Sequence, residues 1–208
     1  MDPDPLETRQ AEHAGIYRRI HTAPGDRIPE PERSFDFVFS NSVLEHIPDL
    51  EPVLAEVARL LRPGGIFLAT VPAGGFHDCL AGPLFGDRAA YLQLIDSRCA
   101  HVRYWSAQEW REALERHGMS LTHAEPYLST REVQRWETLS RFTAGVLYTL
   151  SARRTQPIEI QRALGLRARV LRLPQWAAAA LAGAISSRAT SGERATPFGC
   201  LLVEASRG

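Results

Sequence analysis

Hydrophobic residues along the chain form two kinds of pattern, short continuous runs and stripes with helical spacing. Residues 35–39 (FDFVF) and 66–71 (IFLATV) are runs of strand length, and the second suits an interior strand of a parallel sheet. Between them, apolar residues recur at helical spacing, at Leu50, Val53, Leu54, Val57, Leu60 and Leu61. This order of strand, helix and strand predicts a right-handed βαβ unit.

The segment before this unit predicts a helix, a short strand and a loop. The helix covers 6–14 and is closed by Gly15, because glycine adopts the left-handed conformation that ends many helices. Residues 16–22 (IYRRIHT) predict a short strand. Residues 23–34 hold three prolines and Gly25, which is typical of a loop.

The second half of the chain predicts mostly helices, with two further strands. Capping boxes of the form Ser-x-x-Glu begin at Ser106 and Ser129, and each marks a helix start. The elements predicted after residue 100 are a helix over 107–117, a strand over 119–128, a long helix from 130, further helical segments over 157–187 and a final strand over 198–205.

Length and composition describe one ordinary globular domain. The chain has 208 residues, of which 44% are hydrophobic and 23% charged. The 24 basic residues are all arginine, and they balance 24 acidic residues. A net charge of zero excludes a polyanion-coating protein and disfavours a nucleic acid as partner.

The zero net charge is a cancellation between two halves. Residues 1–100 hold 9 Arg against 15 acidic residues, and residues 101–208 hold 15 Arg against 9. Residues 141–190 alone carry eight Arg and one acidic residue, Glu159. Three interpretations of this basic segment stay open: recognition of an anionic acceptor, peripheral contact with an anionic membrane, or a solvated helical face.

The cysteines predict neither a disulfide framework nor a metal site. Cys79, Cys99 and Cys200 are scattered and form no C-x-x-C pair, so a reduced cytoplasm is the expected compartment. The start of the sequence, MDPDP, lacks the apolar run of a signal peptide. The exclusive use of arginine suggests a GC-rich bacterial genome.

Polar residues cluster directly after the strand at 35–39. Ser40, Asn41, Glu45 and His46 follow it within seven residues. Ligands of open α/β sheets bind beyond the carboxyl ends of the strands, so these residues are candidates for ligand contact. His46 is a candidate base near neutral pH. The alternative is that Glu45 and His46 only stabilise the local turn.

Residues 34–72 (SFDFVFSNSVLEHIPDLEPVLAEVARLLRPGGIFLATVP) carry a recognisable series of motifs. A Phe-Asp strand is followed by the turn Leu44-Glu45-His46, a helix, the loop 59–65 (RLLRPGG) and a strand ending in Pro72. This series resembles the central signature of class I S-adenosylmethionine-dependent methyltransferases of the small-molecule, type 11 group. The resemblance covers 39 contiguous residues.

The resemblance implies S-adenosylmethionine as cofactor and assigns residues to it. Asp2, or else Asp4, matches the carboxylate that accepts hydrogen bonds from both ribose hydroxyls. Asp26 lies near the position of the family's adenine-binding aspartate, and its alternative role is that of a turn residue. Ser40 and Asn41 are expected to contact the cofactor at the end of their strand.

One family feature is missing from the sequence. The family holds the methionine part of the cofactor with a G-x-G-x-G loop, and none of the 15 glycines forms one. We therefore expect an N-terminally truncated version of the domain, in which the strand at 35–39 has an unpaired edge. The alternative is a shorter fold in which the remaining strands close up.

The predicted fold is a Rossmann-like α/β sheet, mostly parallel with an antiparallel C-terminal strand and a helical insertion before it. Residues 1–128 with 196–208 form the partial methyltransferase domain, and 129–195 form an acceptor-side helical insertion. The implied reaction is methyl transfer to a small-molecule, glycan- or lipid-linked acceptor. His46 is the candidate general base, with His101 and Tyr104 on the acceptor side. The alternative is a non-catalytic, methyltransferase-like protein that binds the cofactor poorly.

Overall fold

A computed structural model describes residues 1–150, 159–160, 174–179 and 197–208. These residues include four strands, seven helices and one short 3₁₀ turn at Leu44–His46. The strands are β1 (Phe35–Asn41), β2 (Leu61–Pro72), β3 (Met119–Ser129) and β4 (Phe198–Arg207). The helices are α1 (Pro5–Ala14), α2 (Glu51–Leu60), α3 (Phe76–Cys79), α4 (Arg88–Cys99), α5 (Ala107–Glu115), α6 (Thr130–Phe142) and α7 (Ala144–Leu150).

The four strands form one mixed sheet in the order β1-β2-β4-β3. β1 and β2 run parallel around α2, as the βαβ prediction requires. β4 runs opposite to β3, because Gly208 bonds to Gly118 at one end while Gly199 lies against Leu128 at the other. The predicted α/β class with an antiparallel C-terminal strand is confirmed.

The apolar stripe of α2 is confirmed as the buried face of this helix. Val53, Leu54, Val57 and Leu60 are all buried. The helix ends at Leu60, earlier than the Pro63-Gly64-Gly65 stop that the sequence suggests. These three residues instead form an irregular start of β2, where the pairing register with β1 shifts and Gly64 adopts a φ of 76°. A non-glycine residue would be strained at that φ.

One predicted strand is absent from the structure, and one helix was not predicted. Residues 16–22 form no strand, and a single parallel bridge joins Asp2 to Thr22 instead. Ile16 and Tyr17 are exposed, and the described backbone pairing of this segment lies at its end, at His21 and Thr22. The sequence pattern also does not predict α4, whose apolar residues form only a weak stripe.

Contacts within the chain define two compact units. The first comprises Met1–Ala73, Arg103–Glu125 and Leu201–Gly208, and the second comprises Gly74–Val102 and Pro126–Cys200. The proposed division into 1–128 with 196–208 and 129–195 stays a prediction. Most of the helical pattern over 157–187 lies outside the described residues.

Both capping boxes are confirmed at the starts of α5 and α6. The long helix that begins at Thr130 is interrupted at Thr143 and continues as α7. Among the described helices, none combines the length and the apolar character needed to cross a lipid bilayer.

Candidate functional site

The carboxyl ends of β1 and β2 are joined side by side in the first unit. Ser40 pairs with Ala69, and Asn41 pairs with Thr70. The Thr70 hydroxyl donates a hydrogen bond of 2.5 Å to Oδ1 of Asn41. This bond fixes the Asn41 amide at the exposed edge of the sheet, where open α/β sheets place their ligands.

The chain turns sharply after β1. Ser42 has a φ of 50°, in the left-handed region, and its amide donates to the Thr70 carbonyl at 3.0 Å. A single 3₁₀ turn over Leu44–His46 follows, in which Leu44 is buried and His46 is exposed. The burial of Leu44 anchors the turn, and the imidazole of His46 is thereby held at the surface.

Arg103 stabilises this turn from the segment before α5. Its Nη1 donates to the carbonyl oxygens of Leu44 and Ile47 at 2.7 and 2.6 Å, and its Nη2 donates to that of Pro48 at 2.9 Å. The guanidinium also lies 4.9 Å from the ring centroid of Trp105. Since only the planar fork of arginine reaches several acceptors at once, Arg103 is a positioning residue for the turn.

Glu45 is the one carboxyl group buried inside the turn. Its side chain is 2% exposed, and its Oε2 has no hydrogen-bond partner among the described residues. Burial raises the pKa of Glu45, although a backbone hydrogen bond and the neighbouring His46 partly oppose the rise. Nε2 of His46 lies 3.9 Å from Oε1 of Glu45. The turn thus holds a buried carboxyl group directly beside an exposed imidazole.

Both candidate ribose-binding aspartates use one carboxylate oxygen inside the chain. Oδ1 of Asp4 accepts the amide of Leu6 at 2.8 Å and so caps α1. Asp2 is held by backbone hydrogen bonds to His21 and Ala23, and its Oδ1 accepts the Asp4 amide at 2.8 Å. Asp2 therefore keeps a second carboxylate oxygen for a ligand, and its role stays a prediction.

Asp26 lies exposed in a turn between Pro24 and Arg27. A Cβ on the preceding Gly25 would lie 3.4 Å from the side chains of Met1 and of Val53 on α2, so the turn lies close to α2. This position agrees with either of the two roles proposed for Asp26. Its contact with adenine stays a prediction.

The predicted site residues fall into two groups. Ser40, Asn41 and His46 lie together along β1 and its turn, whereas Asp2 and Asp26 lie in the N-terminal segment. Tyr104 belongs to the first unit and His101 to the second. Sequence reasoning missed Arg103 as a site residue, because its three acceptors lie more than fifty positions away in the chain.

Comparisons with known proteins show what this arrangement is similar to. Residues 1–69 match a family model described as a methyltransferase domain. A dimethylglycine N-methyltransferase from Parasynechococcus marenigrum is 32% identical over 146 residues, which are 64% of this chain and 49% of that protein. A sterol 24-C-methyltransferase from Aspergillus fumigatus is 40% identical over 62 residues, which are 29% of this chain and 16% of that protein.

A crystal structure assigned to a sarcosine dimethylglycine methyltransferase of Galdieria sulphuraria shares the fold. It superposes with a TM-score of 0.58 at 16% identity, covering 100% of this chain and 67% of that one. Residues 1–69 are therefore similar to a methyltransferase domain, and the chain has the fold of a solved methyltransferase structure. The resemblance drawn from residues 34–72 is confirmed. The chain spans at most about half the length of the two curated relatives described above.

The methyltransferase domain offers groups that fit the nucleoside half of S-adenosylmethionine. Asp2 has a carboxylate oxygen left over for the ribose diol, and Asn41 presents a fixed amide at the edge of the sheet. The methionine half is matched less well, since the 208 residues contain no G-x-G-x-G sequence. The residues named here therefore match the nucleoside half of the cofactor more closely than its methionine half.

Proposed function

We propose that this methyltransferase domain transfers a methyl group from S-adenosylmethionine to a small-molecule, glycan- or lipid-linked acceptor. One observation carries the proposal. Ser40 and Asn41 lie where β1 and β2 end side by side, and His46 follows in the next turn. The first 69 residues of the same chain match a methyltransferase domain. The ends of adjacent parallel strands are where this class of sheet binds its ligands.

Bound S-adenosylmethionine supplies an electrophilic methyl group on a sulfonium, so the protein has no covalent step to perform. The chain's own residues bind and orient. Asp2 would accept hydrogen bonds from the ribose hydroxyls. Asn41 and Ser40 would form the wall of the site at the end of β1. Positioning of this kind is worth roughly 7–11 kcal/mol in favourable cases.

His46 would act as the base that removes a proton from the acceptor. The imidazole is exposed on the turn, where an acceptor can reach it. Arg103 holds that turn through three hydrogen bonds, so the position of His46 is fixed by its backbone. Glu45 is buried beside His46, with its Oε1 3.9 Å from Nε2 of the imidazole.

The acceptor is proposed only by class. The two curated relatives are named for dimethylglycine and for sterols, which are both small molecules. These names support a small acceptor over a macromolecular one. The two names point to different acceptors, one an amine and the other a lipid. An amine and a lipid therefore both belong in the first screen of acceptors.

The experiment is a turnover assay for S-adenosylhomocysteine formation. The chain would be incubated with S-adenosylmethionine and, one at a time, dimethylglycine, a sterol and a polyprenyl-linked sugar. We expect one class of acceptor to raise product formation above the acceptor-free rate, and His46→Ala to remove that increase. A folded chain that binds the cofactor and methylates none of these acceptors would contradict the proposed acceptor classes.

The second candidate function is a non-catalytic, methyltransferase-like protein. The 208 residues contain no G-x-G-x-G loop, which in this family supplies backbone donors for the methionine part of the cofactor. The two candidates differ in one measurable property. The enzyme binds S-adenosylmethionine or its product, whereas the non-catalytic protein folds and binds neither.

A further inference from the structure

The second unit contains a cavity that the proposed reaction does not use. Its volume is about 460 Å³, within the range of small-molecule sites. Three helices and one loop contribute to its wall. The lining side chains are mostly apolar, and they include Leu84, Phe85, Leu94, Val146 and Leu150.

Two arginines interrupt this apolar wall. Arg98 projects from α4 and is only 8% exposed, and Arg141 comes from the end of α6. Both arginines line the same cavity. Two cations in an apolar cavity are costly to bury unless a negative charge accompanies them.

Arg141 is already neutralised by the protein. Its Nη2 lies 3.4 Å from Oε1 of Glu137 and donates to the Gly82 carbonyl at 2.6 Å and to the Tyr91 hydroxyl at 3.1 Å. Glu137 is 1% exposed and also accepts the amides of Ala81 and Gly82. This carboxylate is therefore fully used inside the protein.

Among the residues that the structure describes, Arg98 has no such counter-charge. Its Nη2 donates to the neutral hydroxyl of Ser140 at 2.7 Å, and no described carboxylate lies within 4.0 Å of its guanidinium. A Cβ on Gly145 would lie 2.8 Å from Nη1 of Arg98. The absence of a side chain at Gly145 therefore gives the buried guanidinium the space that it occupies.

From this charge balance we propose that the cavity binds a fatty-acid carboxylate. The carboxylate would accept hydrogen bonds from Arg98, and the aliphatic chain would contact Leu94, Val146 and Leu150. A single negative charge matches the one guanidinium that lacks a counter-charge. An aliphatic chain matches a wall that offers few other polar partners. The inference goes beyond methyl transfer and does not require the cofactor to bind.

The test is calorimetric titration of the full chain with three probes. Decanoate, below its micellar concentration, carries both the charge and the chain, decanol carries only the chain, and acetate only the charge. We expect decanoate to bind at least about tenfold more tightly than decanol, because a charged hydrogen bond is worth at least that factor. We expect acetate to bind at least about tenfold more weakly than decanoate.

Variants identify the residues responsible. Arg98→Gln is expected to weaken decanoate binding about tenfold or more, and Arg135→Gln, an exposed arginine on the same helix as Arg141, is expected to leave it unchanged. Val146→Trp fills the mouth of the cavity without removing a charge and is expected to abolish binding. Its thermal unfolding, and that of Arg98→Gln, would be compared with the parent chain.

Three results would overturn the proposal. Decanol could bind as tightly as decanoate, which would make the site merely apolar. Arg98→Gln or a folded Val146→Trp could bind decanoate as well as the parent does, which would place the ligand elsewhere. The parent chain, normally folded, could fail to bind decanoate at all. None of these results bears on binding of S-adenosylmethionine in the first unit.

Discussion

The hydroxyl of Thr70 on β2 donates to the side-chain oxygen of Asn41 on β1 across 2.5 Å. This bond joins the carboxyl ends of the two parallel strands where the methyltransferase site is proposed. The carbonyl of the same Thr70 accepts a hydrogen bond from the amide of Ser42, the first residue after β1. The side-chain hydroxyl and the backbone carbonyl of Thr70 thus both bond to the end of β1.

Replacing Arg103 is expected to loosen the turn that carries His46. Arg103→Lys keeps the charge but cannot reach all three carbonyl oxygens, so we expect the free energy of unfolding to fall by about 1–3 kcal/mol. Urea denaturation of Arg103→Lys and of the control Arg111→Lys, an exposed residue of α5, would measure this. An equal effect of both changes would contradict the positioning role of Arg103.

Removing the buried charge of Glu45 is expected to stabilise the protein at neutral pH. The pKa of Glu45 is raised by burial, so the folded state favours the protonated form. Its stabilising contribution is present below the carboxyl's ordinary pKa and is lost as pH rises through the raised value. Glu45→Gln should therefore raise the melting temperature at pH 8 and change it less at pH 4. A lower melting temperature at pH 8 would contradict this account.

Glu56 is expected to give the opposite pH dependence. Hydrogen bonds from Arg59 lower the pKa of Glu56, and the Ile28 amide adds to the effect at 2.7 Å. The stability that Glu56 contributes is present above the carboxyl's ordinary pKa and is lost as pH falls through the lowered value. Glu56→Gln should therefore reduce the loss of stability between pH 5 and pH 3. Melting curves across this range, with Glu115→Gln on the surface of α5 as control, would test it.

The outer face of β1 is expected to promote self-association. Phe37 and Phe39 are 50% and 55% exposed, and their rings stack with centroids 6.5 Å apart. Among the described residues, β1 pairs only with β2, so its other edge has unpaired backbone groups. Phe37→Thr with Phe39→Thr should lower concentration-dependent association in sedimentation velocity. Phe142→Thr, an exposed phenylalanine on a helix, should change it less.

Local pattern predicted much of the sheet and the helices that pack near it. The features that depend only on neighbouring residues are all confirmed. They are the strand runs at 35–39 and 66–71, the apolar stripe of α2 and the capping boxes at Ser106 and Ser129. The strand predicted over 16–22 is wrong, because a strand needs a partner that sequence pattern does not reveal. α4 was missed because its polar and apolar residues are nearly evenly distributed around the helix.

The site was predictable only in part. Ser40, Asn41 and His46 follow directly from a strand end and a family motif. Arg103 acts on residues more than fifty positions earlier in the chain, and the burial of Glu45 depends on how the turn folds. Long-range contacts of this kind leave no local pattern. The unpaired charge of Arg98 was likewise invisible, since it depends on which carboxylates surround it.

His46 is expected to affect turnover and not cofactor affinity. His46→Ala should lower the methyl-transfer rate by roughly 10²–10⁴-fold, the usual contribution of a general base. The dissociation constant of S-adenosylhomocysteine should stay unchanged, because His46 faces the acceptor side in this account. A matched loss of affinity and rate would instead make His46 a cofactor-binding residue.

The central claim is that the edge formed by β1, with Asp2, binds S-adenosylmethionine through its nucleoside half. Calorimetric titration of the full chain with S-adenosylhomocysteine tests it most directly, with adenosine as a competing ligand and Asp2→Asn as the variant. The account predicts binding that adenosine displaces and that Asp2→Asn weakens about tenfold or more, the value of a charge-assisted hydrogen bond. A folded chain that shows no binding would contradict the account and favour the non-catalytic function.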